Sequence, residues 1–417
     1  MTARSVSVIV VSRGRPALLP RCLTGIGQLC HPAFEIVVVA DPAGMAAVRA
    51  MGWGERVKLV PFDEANISAA RNAGIVQAAG EVLAFIDDDA VPEPTWLTHL
   101  IAPFDDAGVA ASGGYVIGRN GISFQWTARA VNALGEKVVL DHTGEEPFEP
   151  RPPEGYVPKV EGTNCAFRRD VLAAQGGFDP AFRFYLDETD LNMRLARAGA
   201  RTVMVPRALV HHGYAASARR AADRAPRDLT EIGASSSLFL RKHAPNADAD
   251  AQRAALRDTH RKALLRYMVD GALEPRDVER LLAGFEAGFA AGLSREMTAL
   301  APLPPAPAPF LRFRRQPVSG VSRHVAGRPW NRPRLRREAA DAVAAGDIVT
   351  LFRFSPTALP HRVQFHPGGW WEQRGGLFGR ADRADPVFRL QGFRERVHKE
   401  WAHVAALRQC DPSSPIS

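Results

Sequence analysis

Residues 81–89 read Glu-Val-Leu-Ala-Phe-Ile-Asp-Asp-Asp. The apolar run Val82-Leu83-Ala84-Phe85-Ile86 does not alternate with polar residues, which is the pattern of a strand buried on both faces. It ends abruptly on three carboxylates. On its N-terminal side, Ser68 to Ala79 carries a helical pattern that stops at Gly80. Further back, Val6 to Val11 is a β-branched run followed by Ser12-Arg13-Gly14-Arg15-Pro16 and a helical pattern through Leu19, Leu23 and Ile26. Pro20 would disturb a helix interior, so the regular turns are expected to start near it. Phe34 to Val39 is a second strand, ending at Ala40-Asp41-Pro42, and Arg56 to Val60 a third. Strands alternating with helices predict an α/β fold with a mostly parallel central sheet covered on both faces. Ligands of such sheets bind outside the carboxyl ends of the strands. Ser12, Asp41 and Asp87 to Asp89 all fall at such ends.

Reading onward, residues 115–160 are less regular, and 145–158 hold four acids and five prolines, the composition of a mobile loop. Order returns at Gly162-Thr163-Asn164-Cys165-Ala166-Phe167. Helices are predicted from Arg169 to Gly176-Gly177 and over 188–198, then a strand over 201–205 leading to Val210-His211-His212. Beyond residue 215, Leu256, Ala263, Leu264, Tyr267 and Met268 share one helical face. Val278, Leu281, Leu282, Phe285, Phe289 and Leu293 share another. Gly284, Gly288 and Gly292 recur along the second helix, a device for close packing in a soluble unit. Ala301 to Pro309 (APLPPAPAP) reads as a stiff linker. A short β-rich piece follows (348–354 and 363–371), then a final helix with Leu390, Phe393, Val397, Trp401 and Val404 on one face. The expected organisation is a first unit over 1–245, a helical extension over 246–300, the linker over 301–309 and a basic α+β region over 310–417. Trp370-Trp371 could stack on a sugar ring, but core packing is the preferred reading.

The chain has 417 residues, enough for two or three domains, and 46% of them are apolar, which excludes a wholly disordered chain. The four cysteines, Cys22, Cys30, Cys165 and Cys410, show no paired short spacing. That argues against a disulfide scaffold or zinc module and fits a reducing, cytoplasmic compartment. No apolar run approaches the ~18 residues of a membrane span, and the N-terminal stretch reads as a core strand, not a signal peptide. The net charge is +8; nine arginines and no acid or lysine lie between Arg312 and Arg337, so the remaining residues sum to −1. That tract is either a solvated surface, a contact for an anionic membrane at the inner face of the plasma membrane, or a contact for a lipid-linked acceptor. Its interleaved Phe313 and Trp330 could stack bases, but nucleic acid is not the expected partner.

Three adjacent carboxylates repel one another and must be solvated or neutralised. Asp87 and Asp89 point to one side of an extended chain and Asp88 to the other. The pair suits Mg²⁺ or Mn²⁺ bound together with a phosphorylated ligand. A second cluster, Asp187-Glu188-Thr189-Asp190, opens a helix. Its acids either favour the helix dipole or deprotonate an attacking hydroxyl, and Asp190 can pair with Arg194 four residues on. In His211-His212 either ring could complete an oxygen-rich Mn²⁺ site, unless both are structural.

Together these segments resemble family 2 glycosyltransferases of the GT-A fold, over about Val6 to Gly213. The matching stretches, in family order, are VSVIVVSRGRPALLPRCL, FEIVVVAD, ANISAARNAGIVQAAGEVLAFIDDDAVPEPTWL, GTNCAFRRDVLAAQGGFDPAF and YLDETDLNMRLARAGARTVMVPRALVHH. The resemblance implies metal-dependent, inverting transfer of a sugar from a nucleotide-diphospho-sugar (UDP-, GDP- or dTDP-linked) to a glycan or lipid-linked hydroxyl acceptor. It further implies a setting in cell-surface polysaccharide or glycolipid synthesis. The IDDDAVP segment looks like the DxD motif, which makes Asp87 and Asp89 contacts for ribose and metal and puts Asp88 in the donor site. Ser12, Arg13, Asp41 and Arg71 match donor-side positions, and Gly162, Thr163 and Asn164 line the acceptor side. Glu188 falls on the family's base position, with Asp187 beside it, and one of His211 and His212 matches the histidine that completes the metal shell.

Two segments depart from the family pattern. VDDGS reads Val39-Ala40-Asp41-Pro42-Ala43, and the base position carries Glu instead of Asp. The departures keep open a degenerate domain that binds nucleotide sugars or acts as a scaffold. A nucleotidyltransferase reading fails on the loop at residues 12–16, which has a single glycine where a triphosphate-binding loop needs several.

Overall fold

The computed structural model describes residues 3–213, 215–314, 321–382 and 385–410. Val6–Ser12 (β1), Phe34–Ala40 (β2), Lys58–Pro61 (β3) and Val82–Asp87 (β4) make the parallel half of the main sheet, in the order β3-β2-β1-β4. All of β2 and all but the last residue of β4 are buried, which is why neither alternates. Leu19–Ile26 (α1), Pro42–Ala50 (α2) and Ile67–Gln77 (α3) connect these strands.

The chain continues through Ala90–Pro92 (β5), Trp96–Ile101 (α4), Val109–Ile117 (β6), Phe124–Trp126 (β7), Arg129–Asn132 (β8), Lys137–Val139 (β9), Tyr156–Lys159 (β10), Asn164–Arg168 (β11), Arg169–Ala174 (α5), Asp187–Arg197 (α6) and Arg201–His212 (β12). The main sheet extends as β4-β11-β6-β12-β5, with β11 antiparallel to both neighbours and β12 parallel to β6. The expected α/β architecture with its mostly parallel sheet is therefore present. Residues 145–158 are not all loop: β10 forms the edge of a small sheet β10-β8-β9, and an edge is where Pro158 is tolerated within a strand. β12 runs past Val205, where the strand was expected to end, because a register shift between Val205 and Leu209 carries it over Pro206.

Thr230–His243 (α7), Ala249–Val269 (α8) and Pro275–Ser294 (α9) pack together. A Cβ added at Gly288 or Gly292 of α9 would collide with the carbonyls of Thr230 and Ala234 in α7, so these glycines serve helix packing. Among the described residues no helix is long and apolar enough to cross a membrane.

Residues 301–314 lie along the first unit. The Leu303 amide donates to the Ala173 carbonyl (3.0 Å) and the Phe313 amide to Phe34 (2.7 Å). The Phe313 ring packs 4.8 Å from Trp53 and 5.5 Å from Phe34, with the Arg56 guanidinium 4.7 Å from its centre. The C-terminal unit follows: Ser322–Gly327 (β13), Arg332–Ala344 (α10), Ile348–Ser355 (β14), Arg362–Phe365 (β15), Trp371–Gly376 (β16) and Phe393–Arg408 (α11), with sheet order β13-β14-β16-β15. Trp370 and Trp371 are both buried in its packing. Leu390, expected on the final helix, precedes it and is exposed. The helix starts after Gly392, whose amide donates to the Glu395 carboxylate three residues on.

Part of the arginine tract is engaged within the unit: Arg323 pairs with Asp347, Arg334 with Glu338 and Arg336 with Glu372, while Arg328 lies over Phe393. Arg315 lies outside the described residues. Cys30 and Cys410 form a disulfide, and only Cys22 and Cys165 are free, both buried. The partners stand 380 residues apart in sequence and meet because the end of α11 docks beside the loop after α1, so no local spacing could reveal them. The cysteine argument for a reducing compartment falls with that pairing.

Candidate active site

Asp87 ends β4, Asp89 precedes β5, and His212 ends β12, which pairs with β5 through His212 and Ala90. One ligand atom from each of Asp87, Asp89 and His212 lies within 4.8 Å of the others. His212 Nε2 stands 3.2 Å from Asp89 and 3.9 Å from Asp87, and its Nδ1 lies 3.0 Å from the Gln125 side-chain oxygen. Burial works against charge on Asp89, but His212 and Arg15 outweigh it and hold its carboxyl well below the usual range. Two carboxylates and an imidazole fit Mn²⁺, and the acids also suit Mg²⁺. His211 does not belong to this group. Its side chain leaves the opposite face of the strand, where Nε2 meets Glu93 (2.9 Å) and the ring lies 4.7 Å from Trp371.

Asp88 points away from Asp87 and Asp89, as a strand's period of two demands. It is fully buried and accepts a hydrogen bond from the Ser12 hydroxyl (2.6 Å), with Arg15 2.6 Å from its other oxygen. Burial pushes its carboxyl up to about 7 against both partners. Ser12 and Asp88, expected at the donor, thus hold each other beneath the site. Arg15 also stands 3.7 Å from Asp89, so its guanidinium offsets the repulsion within the triplet. Arg13 is half exposed and pairs with Asp63 (3.0 Å). Asp41 caps α2: its two oxygens accept the amides of Gly44 (2.7 Å) and Gly14 (2.6 Å), which shapes the loop after β1.

Arg71, on α3, joins the two acidic clusters. It hydrogen-bonds Asp187, stands 3.7 Å from Asp87, donates to the Gly162 carbonyl and packs on the Phe178 ring. Any Cβ at Gly162 would strike this guanidinium, so the glycine makes room for it. The Thr163 hydroxyl is buried without a hydrogen-bond partner among the described residues. Asn164, expected on the acceptor side, has its side chain turned into the core. It is fully buried, donates to the carbonyls of Tyr115 and Ala208, and accepts from the Trp96 indole, which ties β11 to β6, β12 and α4.

Asp187 and Glu188 open α6, directly after Tyr185 and Leu186, two non-glycine residues in the left-handed region (φ 70° and 63°). Such backbone is costly and here turns the chain into the first turn of α6, which carries both acids. Burial pushes the Asp187 carboxyl up even against Arg71. For Glu188, burial is outweighed by Lys159 and Lys137, which hold its carboxyl well below the usual range. The Lys159 ammonium, fully buried, lies 2.8 Å from Glu188 and 2.8 Å from Glu161. Asp190, one turn on, pairs with Arg194 (2.8 Å) as its spacing predicted.

Arg15, Lys159 and Gln125 escaped the sequence reading. Arg15 sat beside the chosen Arg13 without a distinguishing mark. Lys159 did carry a signal, a single cation in the apolar stretch Val157-Pro158-Lys159-Val160, which requires a buried partner.

A family model described as "Glycosyltransferase like family 2" matches residues 3–229. The O-antigen biosynthesis protein RfbC of Myxococcus xanthus is 29% identical over 241 residues, 53% of this chain and 18% of that protein. The pre-mycofactocin glycosyltransferase of Mycobacterium tuberculosis is 30% identical over 218 residues, 51% of this chain and 43% of that protein. The chain thus spans less than half the length of these relatives. Among solved structures, the mannosyltransferase PcManGT from Pyrobaculum calidifontis, in complex with GDP-Man and Mn²⁺, is 17% identical with a TM-score of 0.44, covering 71% of this chain and 89% of that one.

Proposed function

The chain belongs to the glycosyltransferase-like family 2, and from that premise we propose that it moves a sugar, of the hexosyl type, from a nucleotide-diphospho-sugar to a hydroxyl acceptor with inversion at the anomeric carbon. The observation that carries this reading is the pairing of two acidic ends by one buried arginine: the Asp87–Asp89–His212 group on one side of Arg71 and Asp187–Glu188 on the other. A divalent ion, Mn²⁺ or Mg²⁺, held by that group would neutralise charge on the departing nucleoside diphosphate. Glu188, kept ionised by Lys159, takes the proton of the attacking hydroxyl. Asp187 is likewise ion-paired, with Arg71, but its side chain is 5% exposed against 17% for Glu188, which makes it the less accessible base. A single displacement from the face opposite the leaving group inverts the configuration. The similarity to RfbC, an O-antigen biosynthesis protein, supports an acceptor in cell-surface polysaccharide or glycolipid synthesis.

The test is a screen of UDP-, GDP- and dTDP-sugars with Mn²⁺ for release of nucleoside diphosphate. Glu188→Gln is expected to lower turnover by about a hundredfold or more while donor binding persists. Full turnover in that variant removes Glu188 from the base role. No calorimetric binding of any nucleoside diphosphate would favour the scaffold reading. Peripheral contact with an anionic membrane would fall to the solvent-facing Arg312, Arg314, Arg332 and Arg337. The full chain should then pellet with anionic vesicles and lose that with all four changed to Ala; equal pelleting would refute the contact.

A further inference from the structure

The strand pair that presents Asp89 and His212 is short and lies at the sheet edge. β5 spans Ala90–Pro92 and, among the described residues, pairs only with the end of β12, through Val210, His211 and His212. Three residue pairs are little to hold two ligands in register. The other face of the pair is covered by the C-terminal unit. Val91 packs with Val363, Phe365 and Trp371. Glu93, just past β5, takes the His211 ring at 2.9 Å and the Arg408 guanidinium through two hydrogen bonds of 2.9 and 2.8 Å. Arg408 also donates to Thr350 (2.8 Å) and lies 4.4 Å from the centre of Trp371. Glu93 and Arg408 are 1% and 0% exposed, so neither has water as a substitute partner. One residue before Arg408, the Leu407 carbonyl accepts from the Thr95 amide and hydroxyl; two residues after it lies the Cys30–Cys410 bond.

We propose that the C-terminal unit is a brace for the metal-binding edge, with Arg408 as its positioning residue. Arg408 fixes Glu93, Glu93 fixes the His211 ring, and the His211 backbone fixes the direction in which His212 projects toward Asp89. This rests on the reading of Asp87, Asp89 and His212 as metal ligands and gives the region after residue 310 a role that the sequence did not reveal.

The experiment measures Mn²⁺ binding to the full chain by the paramagnetic resonance of free Mn²⁺, together with thermal unfolding in chelator. Three proteins are compared: wild type, Arg408→Met, and the double variant Glu93→Gln/Arg408→Met, which removes both buried charges and leaves neither orphaned. The expected result is a tenfold or greater weakening of Mn²⁺ binding in both variants, with the unfolding temperature of the double variant returned toward wild type. Wild-type Mn²⁺ affinity in a stable double variant would show the ion pair to be merely structural and overturn the proposal. If Arg408→Met does not fold, the double variant alone decides. A wild type that binds no Mn²⁺ refutes the metal site itself, and the brace with it.

Discussion

Lys159→Met keeps the length and apolar stem of the side chain and removes one buried charge. The ammonium lies 2.8 Å from Glu188 and 2.8 Å from Glu161. At an effective dielectric of about 20, opposite charges about 4 Å apart attract by about 4 kcal/mol. The attraction is pairwise, so the presence of Glu161 does not reduce it: its effect on Glu188 is about 4 kcal/mol, or roughly 3 pH units in its ionisation. The sign follows from the direction of the perturbation. Glu188 is held below its ordinary value, so its ionised form is present above that value and is lost only as pH falls through the lowered one. Without Lys159 the carboxyl rises by roughly 3 pH units toward its ordinary value, so an acid limb of kcat/KM that lies below the assayed range in the wild type should move up to its acid end, while activity near pH 8 changes little. Lys137 and Arg71 still face Glu188 and keep the shift from being larger. The assay is the initial rate of nucleoside diphosphate release from pH 4 to 9 with saturating Mn²⁺. Lys159→Arg, which retains the charge, should restore the wild-type profile. An unmoved acid limb in Lys159→Met, or a uniform loss at every pH that Arg does not rescue, would refute the reasoning.

Other outcomes follow from the packing. Asn164→Ala orphans the Trp96 indole and two carbonyls, which should cost about 3 kcal/mol and lower the unfolding temperature. KM for donor and acceptor should stay unchanged in that variant, and a raised acceptor KM would return Asn164 to the acceptor site. Cys30→Ser should cost about 2–4 kcal/mol in urea unfolding, and reduction of the wild type should reproduce the loss. Equal midpoints with and without reductant would show that the bond contributes nothing.

Local patterns carried the first half of the chain. The apolar runs at 36–39 and 82–86, short and flanked by turn residues, fit doubly buried strands, and the acids after the second fell where a sheet opens to ligands. What stayed hidden was set by partners distant in sequence. A period of two guarantees that only one of His211 and His212 can meet Asp87 and Asp89, but the choice depends on the register between β12 and β5. Asn164 matches a motif, yet its three hydrogen bonds come from β6, α4 and the bulge in β12, none visible in the motif itself. The capping role of Asp41 was likewise hidden, because capping and ligand binding ask for the same residue type at the end of a strand. The pairs Glu93–Arg408 and Cys30–Cys410 join opposite ends of the chain, beyond the reach of any window-based reading.

The segment at 301–314 has a practical corollary. A proline-rich stretch after a recognisable domain invites cutting there, and the family match already stops at residue 229. A chain shortened at either point would uncover the aromatic surface of Phe34 and Trp53 that Phe313 now covers, along with the carboxylate of Glu35 that receives the Leu311 amide. Such a fragment should be sticky and poorly soluble even though it contains every proposed ligand and the proposed base. Inactivity in it would report on lost surface cover and could be mistaken for a defect in chemistry. The smallest dependable unit of this protein is therefore larger than its family signature.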